Sequence, residues 1–454
     1  MITKNPMTPL ERRTVAALAG LYSFRMLGLF MVLPLLALYS DSFSASTPLL
    51  IGVALGAYGL AQAVLQIPFG LVSDRIGRRP VIVFGLVLFG IGSIVAAQAD
   101  SIYGLIGGRL IQGAGAIAST VMALVADSTS DEQRTKAMAL VGISIGASFA
   151  VALIVGPLLA GFGGIAVVFY VTAGLALLGI VIVCTIVPVP TQIKTQHREA
   201  GAVPALLMRS IVDRRLARLN FSVFALHFIL MAGFVVLPLV LENNLQVASE
   251  RHWLVYLPTL LLSVLGMLPL MLLAERYGRL KQAFMLAVVG VGLSQLMFAL
   301  NGNAWLVYLA LLLFFVGFNY LEATLPSLIS KTVYAGGKGT ALGVYSSSQF
   351  LGAFAGGVTG GWALQTFGQS GVFVVCALVV GLWLLVALRL QPPRNLANIV
   401  VEFPADEERW LDRVSQLRQA AGVAEVLLIS DTRTIYLKVD ETEFDHDLVA
   451  GLTV

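Results

Sequence analysis

The chain has 454 residues, of which 58% are hydrophobic and 12% are charged, and its mean hydropathy is +0.88. A soluble domain is typically about 45–50% apolar and about 25% charged, so this composition excludes an ordinary soluble enzyme, a disordered chain and a disulfide scaffold. It predicts a polytopic membrane protein, and the 45 glycines fit this class because glycine lets membrane helices approach closely.

The net charge of +4 conceals an uneven distribution. Residues 395–454 carry 5 basic and 12 acidic residues, whereas the rest of the chain carries 24 and 13. We therefore predict a basic membrane body with an acidic, soluble tail. The two cysteines, Cys184 and Cys376, form no CxxC pair, which argues against a disulfide framework and a thiolate metal site. The polar start of the chain predicts no cleavable signal.

Apolar runs long enough to cross a bilayer recur along the chain. A spanning helix needs about 20 mostly apolar residues, and a helix satisfies its own backbone hydrogen bonds in lipid. We predict four regions: an N half (1–188), a linker loop (189–216), a C half (217–390) and a tail domain (391–454). The twelve predicted spans are roughly 14–40, 49–72, 80–98, 102–127, 137–161, 165–188, 217–242, 252–274, 282–300, 304–328, 340–362 and 370–390.

Basic residues occupy alternate loops, and we call the side that carries them the basic face. The loops on the other side contain one base, Arg251. The positive-inside rule therefore predicts that both termini are cytoplasmic. Within the linker loop, apolar residues alternate with arginines at helical spacing over 204–215. This pattern predicts an interfacial helix on the inner leaflet, with a plain basic linker as the alternative.

Two sequence matches at nearly one offset indicate an internal repeat. The loop at 70–79 after span 2 recurs at 271–280 after span 8, an offset of 201 residues. The stretch 156–161, which ends span 5, recurs at 356–361 in span 11, an offset of 200. These matches predict two parallel six-helix repeats.

The repeated motifs also carry a family resemblance. Gly-x-x-x-Asp-Arg-x-Gly-Arg-Arg at 70–79 resembles the signature loop of the major facilitator superfamily. The stretch from Leu105 through Arg109 and Gln112 to Gly115 resembles its fourth-helix motif. The resemblance covers 1–390 and implies an all-α, twelve-helix transporter that works by alternating access. Gly156, Pro157 and Gly161 resemble the fifth-helix motif of its drug/proton antiporters.

The resemblance gives the loop at 70–79 a role as a conformational switch. It implies that Asp74 meets span 11 on the cytoplasmic side and holds the outward-open state. Protonation of Asp74 or Asp127 would weaken this latch and so link a proton gradient to conformational change. A static topology signal made of basic loop residues is the alternative. The predicted switch cluster is Gly70, Asp74, Arg75, Gly77, Arg78, Arg79, Asp127 and Arg134.

Ionisable residues deep in spans cost at least about 2.5–3.5 kcal/mol each on insertion scales, so they are expected to face a cavity or one another. Glu322 is the only acid at this depth and is predicted to be the proton or cation site; a glutamate at a helix bend is the alternative. Arg109 is predicted to tune an acid or bind an anion, or else to pin spans 1 and 4 structurally. Arg25 is expected to face Glu322 or a substrate. His227 titrates near neutrality, but a lone histidine in an apolar span is more often a satisfied core residue. The predicted cavity set is Arg25, Gln62, Gln66, Arg109, His227, Asn319 and Glu322.

Small residues predict the contact between the two halves. Gly142, Gly146, Gly156 and Gly161 in span 5 are expected to allow close packing against span 8.

The tail pattern predicts a small α+β domain. Strands are predicted at 397–403, 423–429 and around 435–439, with helices from 404 and over 441–449. The order β-α-β-β-α indicates a ferredoxin-like fold. This acidic domain is expected to dock on the basic face or to dimerise.

The sequence contains no Walker loop, HExxH or Gly-x-Ser-x-Gly motif, so we predict a transporter and not an enzyme. The leading prediction is proton-coupled efflux of drug-like or metabolite molecules across the inner membrane, driven by the proton gradient. Its expected partners are the bilayer, the substrate and protons, with no cofactor, metal or nucleic acid. The alternatives are a symporter or facilitator for a sugar or organic anion, in which Arg25 and Arg109 bind the anion, and a membrane sensor that signals through its tail.

Overall fold

The computed structural model describes residues 7–188, 204–300, 303–334, 337–391, 396–402, 410–429, 434–440, 442–445 and 449. Across these ranges, nine helices are long and apolar enough to cross a membrane. The membrane helices are α1 (Pro9–Phe30), α2 (Pro48–Ile76), α3 (Arg78–Ala97), α4 (Ile102–Ala114), α5 (Ala118–Asp127), α6 (Asp131–Thr185), α8 (Arg214–Asn243), α9 (Trp253–Glu275), α10 (Leu280–Ala299), α11 (Ala304–Thr332) and α12 (Lys338–Leu388). A short helix, α7 (Pro204–Val212), lies in the predicted linker loop.

Two of the long helices are pairs of predicted spans joined at a glycine. Helix α6 has non-helical dihedrals at Gly163 and Gly164, and α12 has them at Gly368. Gly164 and Gly368 adopt φ of +71° and +70°, which side chains other than glycine rarely adopt. These breaks separate spans 5 from 6 and spans 11 from 12. With α1 as span 1 and α4 and α5 together as span 4, the helices account for the twelve predicted spans.

The first span differs from the prediction at its end. Helix α1 begins with a capping box between Thr8 and Glu11 and a proline at its first position. Its α-helical part stops at Phe30, whereas the prediction continued to residue 40. Pro34 provides the reason, because a proline removes one backbone donor and its ring clashes with the carbonyl four residues earlier. Hydrogen-bonded turns continue the chain to Tyr39.

The two halves meet along α2 and α12. A Cβ built on Gly52 would lie 2.1 Å from the carbonyl oxygen of Gly357, and one on Gly361 would lie 2.4 Å from that of Pro48. The contact is therefore backbone against backbone and requires glycine. On the other side of α12, a Cβ on Gly356 would lie 2.1 Å from the carbonyl oxygen of Phe228 in α8.

The predicted glycine contact between spans 5 and 8 is wrong. A Cβ on Gly142 or Gly146 meets nothing within 4 Å, and one on Gly161 meets only Glu250 Cγ at 3.7 Å, in the loop before α9. A Cβ on Gly156 would lie 2.6 Å from the carbonyl oxygen of Met31, so Gly156 packs against span 1. Its repeat partner in span 11 packs against span 7 in the same way. The prediction fails because the closest contact of the antiporter motif, that of Gly156 with Met31, lies inside the N half.

Buried apolar side chains form two cores in the membrane body. One core joins both halves and includes Met31 and Phe149 of the N half and Phe234 of the C half. The other has buried members from the N half alone, such as Leu18 and Val121, which lie toward the basic-loop ends of their helices. The halves therefore share one core, and Phe350 of α12 packs against the second core, whose buried members come from the N half.

The tail contains β1 (Ala397–Glu402), α13 (Trp410–Gln419), β2 (Val423–Ile429) and β3 (Thr434–Val439). Its sheet has the order β1-β3-β2, and β3 pairs antiparallel with both neighbours. This places β1 and β2 parallel on either side of β3, as in a split βαβ unit. The predicted helix at 441–449 and the predicted helix start at 404 lie mostly outside the described residues, so the ferredoxin-like fold stays a prediction.

Candidate functional site

Arg78 connects the acidic residues of the switch cluster on the basic face. Gly77 turns the chain between α2 and α3 with φ +96° and places Arg78 in the first turn of α3. The Arg78 guanidinium forms ion pairs with Asp74 and Asp127, and its Nε lies 3.2 Å from Asp127 Oδ2. It also donates to Ser73 Oγ at 2.6 Å. One arginine therefore connects α2, α3 and α5.

The remaining residues of the switch cluster differ in their contacts. Arg79 donates to the backbone carbonyl of Cys184 in α6, whereas Arg75 is exposed. A Cβ on Gly70 would lie 3.4 Å from Ser119 Oγ. The side chain of Arg134 lies outside the described residues.

The implied meeting of Asp74 with span 11 stays a prediction. In this structure Asp74 pairs with Arg78. Near the same end of the two helices, a Cβ on Gly343 of α12 would lie 3.6 Å from the Ile67 side chain of α2.

A polar cluster lies inside the N half, which we call the arginine cluster: Arg25, Tyr58, Gln62, Gln66, Arg109 and Gln112. Arg25 of α1 is 2% exposed, and its Nη2 donates to Gln62 Oε1 at 2.6 Å and to the carbonyl of Gly115 at 3.2 Å. Gln62 in turn donates to Gln66 Oε1 at 3.1 Å. The expected meeting of Arg25 with Glu322 is therefore wrong, because α2 and the break between α4 and α5 engage Arg25 within its own half.

Arg109 of α4 belongs to the same cluster and is fully buried. It donates to Gln112 Oε1 at 2.9 Å and to the carbonyl of Ala54 at 3.4 Å. Its guanidinium carbon lies 5.2 Å from the ring centroid of Tyr58, and that of Arg25 lies 5.8 Å from the same centroid. Both cations therefore interact with one aromatic ring.

A second cluster lies in the C half and connects α8, α11 and α12. His227 Nε2 lies 3.7 Å from Glu322 Oε2 and 2.8 Å from the Gln349 amide nitrogen, while its Nδ1 lies 3.1 Å from the carbonyl of Val223. An amide nitrogen can only donate, so in this arrangement Nε2 accepts from Gln349 and Nδ1 donates to the carbonyl of Val223. Glu322 Oε2 is buried and has no hydrogen-bond partner among the described residues. We call His227, Glu322 and Gln349 the histidine cluster.

The other predicted cavity residue of the C half lies apart from this cluster. Asn319 donates to Ser263 Oγ of α9 at 2.8 Å. This contact links α11 to α9, so Asn319 is engaged in a helix–helix hydrogen bond.

Aromatic rings fill the junction between the halves beside the histidine cluster. Phe149 of α6 lies 5.0 Å from Phe30 of α1 and 6.3 Å from Phe234 of α8, measured between ring centroids. It lies 6.5 Å from Phe318 of α11, which is itself 5.9 Å from His227. An apolar surface therefore adjoins the titratable pair.

Sequence reasoning missed three residues of these clusters. Gln349 follows three serines in span 11, and this polar run in an apolar helix was a usable signal. Tyr58 and Phe149 carried no such signal, because aromatic residues in apolar spans are ordinary core residues.

The tail sheet contacts the linker helix and the basic end of α11. Arg209 of α7 forms an ion pair with Glu425 of β2 at 2.6 Å, and its guanidinium lies 4.2 Å from the ring of Tyr334. Lys438 of β3 donates to the carbonyl of Lys331 in the last turn of α11 at 2.9 Å. Burial lowers the pKa of the Lys438 ammonium, and the nearby Glu425 carboxylate opposes this shift. A cation at this position also complements the negative end of the helix dipole.

Comparison with known proteins identifies the class. Residues 18–248 and 219–418 both match the sequence model of the Major Facilitator Superfamily, so the chain belongs to this family of membrane transporters and is not an enzyme. The family predicted from the sequence motifs is thereby confirmed.

Individual relatives fit this class. The chain is 42% identical to the inner membrane transport protein YajR of Escherichia coli (strain K12), over 96% of this chain and 95% of that protein. It is 34% identical to the class B tetracycline resistance protein of Escherichia coli over 30% of this chain and 34% of that protein. The crystal structure of the human organic anion transporter MFSD10 matches with a TM-score of 0.62 at 20% identity, covering 84% of this chain and all of that chain.

Proposed function

We propose that this transporter exports small lipophilic molecules across the inner membrane in exchange for protons. One observation carries the proposal: the His227–Glu322 pair adjoins the aromatic cluster around Phe149 at the junction of the two halves. A titratable pair beside an apolar surface can exchange a proton for a lipophilic molecule. The relationship to a tetracycline resistance protein supports this substrate class.

Proton uptake would change the contacts of the histidine cluster. Oε2 of Glu322 lacks a hydrogen-bond partner among the described residues, while Nε2 of His227 accepts from Gln349. A proton bound by this pair would form a hydrogen bond between them and close the 3.7 Å gap. The pair joins α8 to α11, so its protonation state can bias the packing of the C half.

We further propose that the Arg78 cluster acts as the conformational switch. In this structure Asp74 pairs with Arg78. When the halves close at the basic face, Asp74 would reach the N-terminus of α12, where a carboxylate gains about 0.3–1 kcal/mol from the helix dipole. The basic loops orient both termini towards the cytoplasm. The proton gradient supplies the energy, and no cofactor is needed.

The test is proton release from inside-out membrane vesicles challenged with a panel of lipophilic cations and anions. We expect compound-dependent release with the wild type and its loss in Glu322→Gln. Glu275→Gln is the matched control, because Glu275 is an exposed glutamate at the end of α9. Release that survives in Glu322→Gln would move the proton carrier to Asp74 and Asp127. No release with any compound would contradict proton-coupled export.

We also propose that the acidic tail docks on α7 and α11 and restrains the C half. The Arg209–Glu425 pair and the Lys438–Lys331 contact support this proposal. Docking would hold the basic end of the helix that carries Glu322. Deletion of residues 395–454 should therefore change the transport rate and its salt dependence, whereas an unchanged rate and salt dependence would contradict docking.

A further inference from the structure

The arginine cluster places two cations in the N half without a compensating anion. Arg25 and Arg109 are 2% and 0% exposed. Across the described part of the chain, the ion pairs involve Arg78, Arg209 and His227, and neither arginine of the cluster lies within 4 Å of a carboxylate. Buried charges in proteins are normally paired or bound to a ligand of opposite charge.

The unused hydrogen-bond donors of the cluster point to the missing partner. Nε and Nη1 of Arg25, Nη2 of Arg109 and the hydroxyl of Tyr58 are all buried and have no hydrogen-bond partner among the described residues. The acceptors that are used, such as Gln62 Oε1 and Gln112 Oε1, are neutral. Bound water would satisfy these donors but would leave both positive charges uncompensated.

We infer that the arginine cluster is an anion-binding site, which takes a halide or a carboxylate group between Arg25, Arg109 and Tyr58. The guanidinium carbons of Arg25 and Arg109 lie 5.8 and 5.2 Å from the ring centroid of Tyr58, so both cations adjoin the same side chain. Guanidinium N–H groups match carboxylate oxygens in geometry and charge, and the Tyr58 hydroxyl adds a neutral donor. The anion is either a free ion or the acidic group of a substrate, and only the second source rests on the proposed function.

The two clusters then divide the chemistry between the halves. The histidine cluster exchanges protons in the C half, and the arginine cluster holds an anion in the N half. Arg25 and Arg109 therefore make the interior of this half a positive site.

The test uses the full-length protein in detergent and needs no transport. The melting temperature is measured against chloride, acetate and benzoate at constant ionic strength, with the titrated sodium salt replacing sodium gluconate in the background buffer. We expect a saturable rise with at least one compact anion. Arg25→Gln and Arg109→Gln should each weaken the apparent affinity about tenfold or more, because each removes a charge-assisted contact. Arg251→Gln is the matched control, since Arg251 is exposed, and it should bind like the wild type.

Further variants keep the test decisive. If an arginine variant does not fold, Tyr58→Phe, which retains the ring, should still weaken binding several-fold. A response to chloride identifies a free ion, and a response to the carboxylates alone identifies a substrate group. The absence of a saturable response in the wild type, or an affinity in Arg25→Gln and Arg109→Gln that equals that of the wild type, would overturn the inference. Proton release from vesicles is measured separately, so failure of this site and failure of proton-coupled export are distinguishable.

Discussion

His227 Nε2 lies 3.7 Å from Glu322 Oε2, which makes this pair the link between α8 and α11 in the C half. The distance exceeds that of a hydrogen bond, and Gln349 occupies the same nitrogen at 2.8 Å. In the proposed mechanism, the His227 ring exchanges its hydrogen bond with Gln349 for one with Glu322 when the pair binds a proton.

The first prediction concerns the energetic coupling of these two residues. Glu322→Gln and His227→Gln should each reduce proton-coupled efflux at least tenfold. The double variant should be no worse than Glu322→Gln alone, because residues that act as one unit are strongly non-additive. Efflux rates from vesicles at a fixed pH gradient provide the measurement. The control cycle pairs His227→Gln with Glu275→Gln, and its effects should add. Additive losses in the first cycle would contradict a shared proton site.

The second prediction concerns the glycine contact between the halves. Gly52→Ala places a methyl group 2.1 Å from the carbonyl oxygen of Gly357, so the helices must separate. Overpacking of this kind costs about 1–3 kcal/mol, and we expect a lower melting temperature together with a loss of transport. Gly142→Ala is the matched control, because its added methyl group meets nothing within 4 Å. Equal melting temperatures for the two variants would contradict the contact.

The third prediction concerns the switch cluster. Arg78→Gln leaves Asp74 and Asp127 without their shared cation, and their mutual repulsion should loosen the joint between α2, α3 and α5. Transport should fall at least tenfold while the protein still folds, because the cluster is partly exposed. Arg75→Gln removes the same charge from an exposed neighbour and should transport normally. Similar losses in both variants would indicate that only the charge of the loop matters.

A fourth prediction concerns the N-terminal cap. Glu11 Oε1 accepts from the backbone N–H of Ser130, and Oε2 accepts from that of Thr8. These backbone donors lower the pKa of the Glu11 carboxyl below its ordinary value of 4.5. The carboxylate therefore contributes stability above pH 4.5 that is lost as the pH falls through the lowered pKa. Glu11→Gln should abolish this part of the pH dependence of the melting temperature, whereas an unchanged profile would contradict the cap.

The fold of the membrane body could be predicted from the sequence, because the lengths of the apolar runs and the positions of the basic loops can be read from it directly. The sequence also placed Arg78 and Asp127 in one predicted switch cluster, and the two residues form an ion pair in the structure. The side chains that face the cavity could not be predicted in the same way, because helix rotation decides whether Arg25 meets Glu322 or Gln62. Gly142 and Gly156 illustrate the same limit, since one glycine meets open space and the other meets the backbone of span 1. Tyr58 and Gln349 acquire their roles only from neighbours distant in sequence.

The last prediction concerns docking of the tail. Glu425→Gln removes the partner of Arg209, and Lys438→Met removes the donor to the end of α11. The ion pair is partly exposed, so its loss costs only about 0.2–1 kcal/mol, and we expect the double variant to release the tail more than either change alone. Distances between spin labels at Arg418→Cys and Arg276→Cys, in a background without Cys184 and Cys376, report docking.

The pH dependence of these distances gives an independent check. Burial lowers the pKa of Lys438 in the docked tail, and any part of this shift that docking causes makes the free tail bind more protons than the docked tail between that lowered pKa and 10.5. Docking should therefore strengthen as the pH rises through this window and should lose this dependence in Lys438→Met. The labelling change Arg418→Cys alters an exposed residue and is the same in every variant, so it does not account for differences between them. A distance distribution that is the same in the wild-type background and the double variant would show that these contacts do not hold the tail in place.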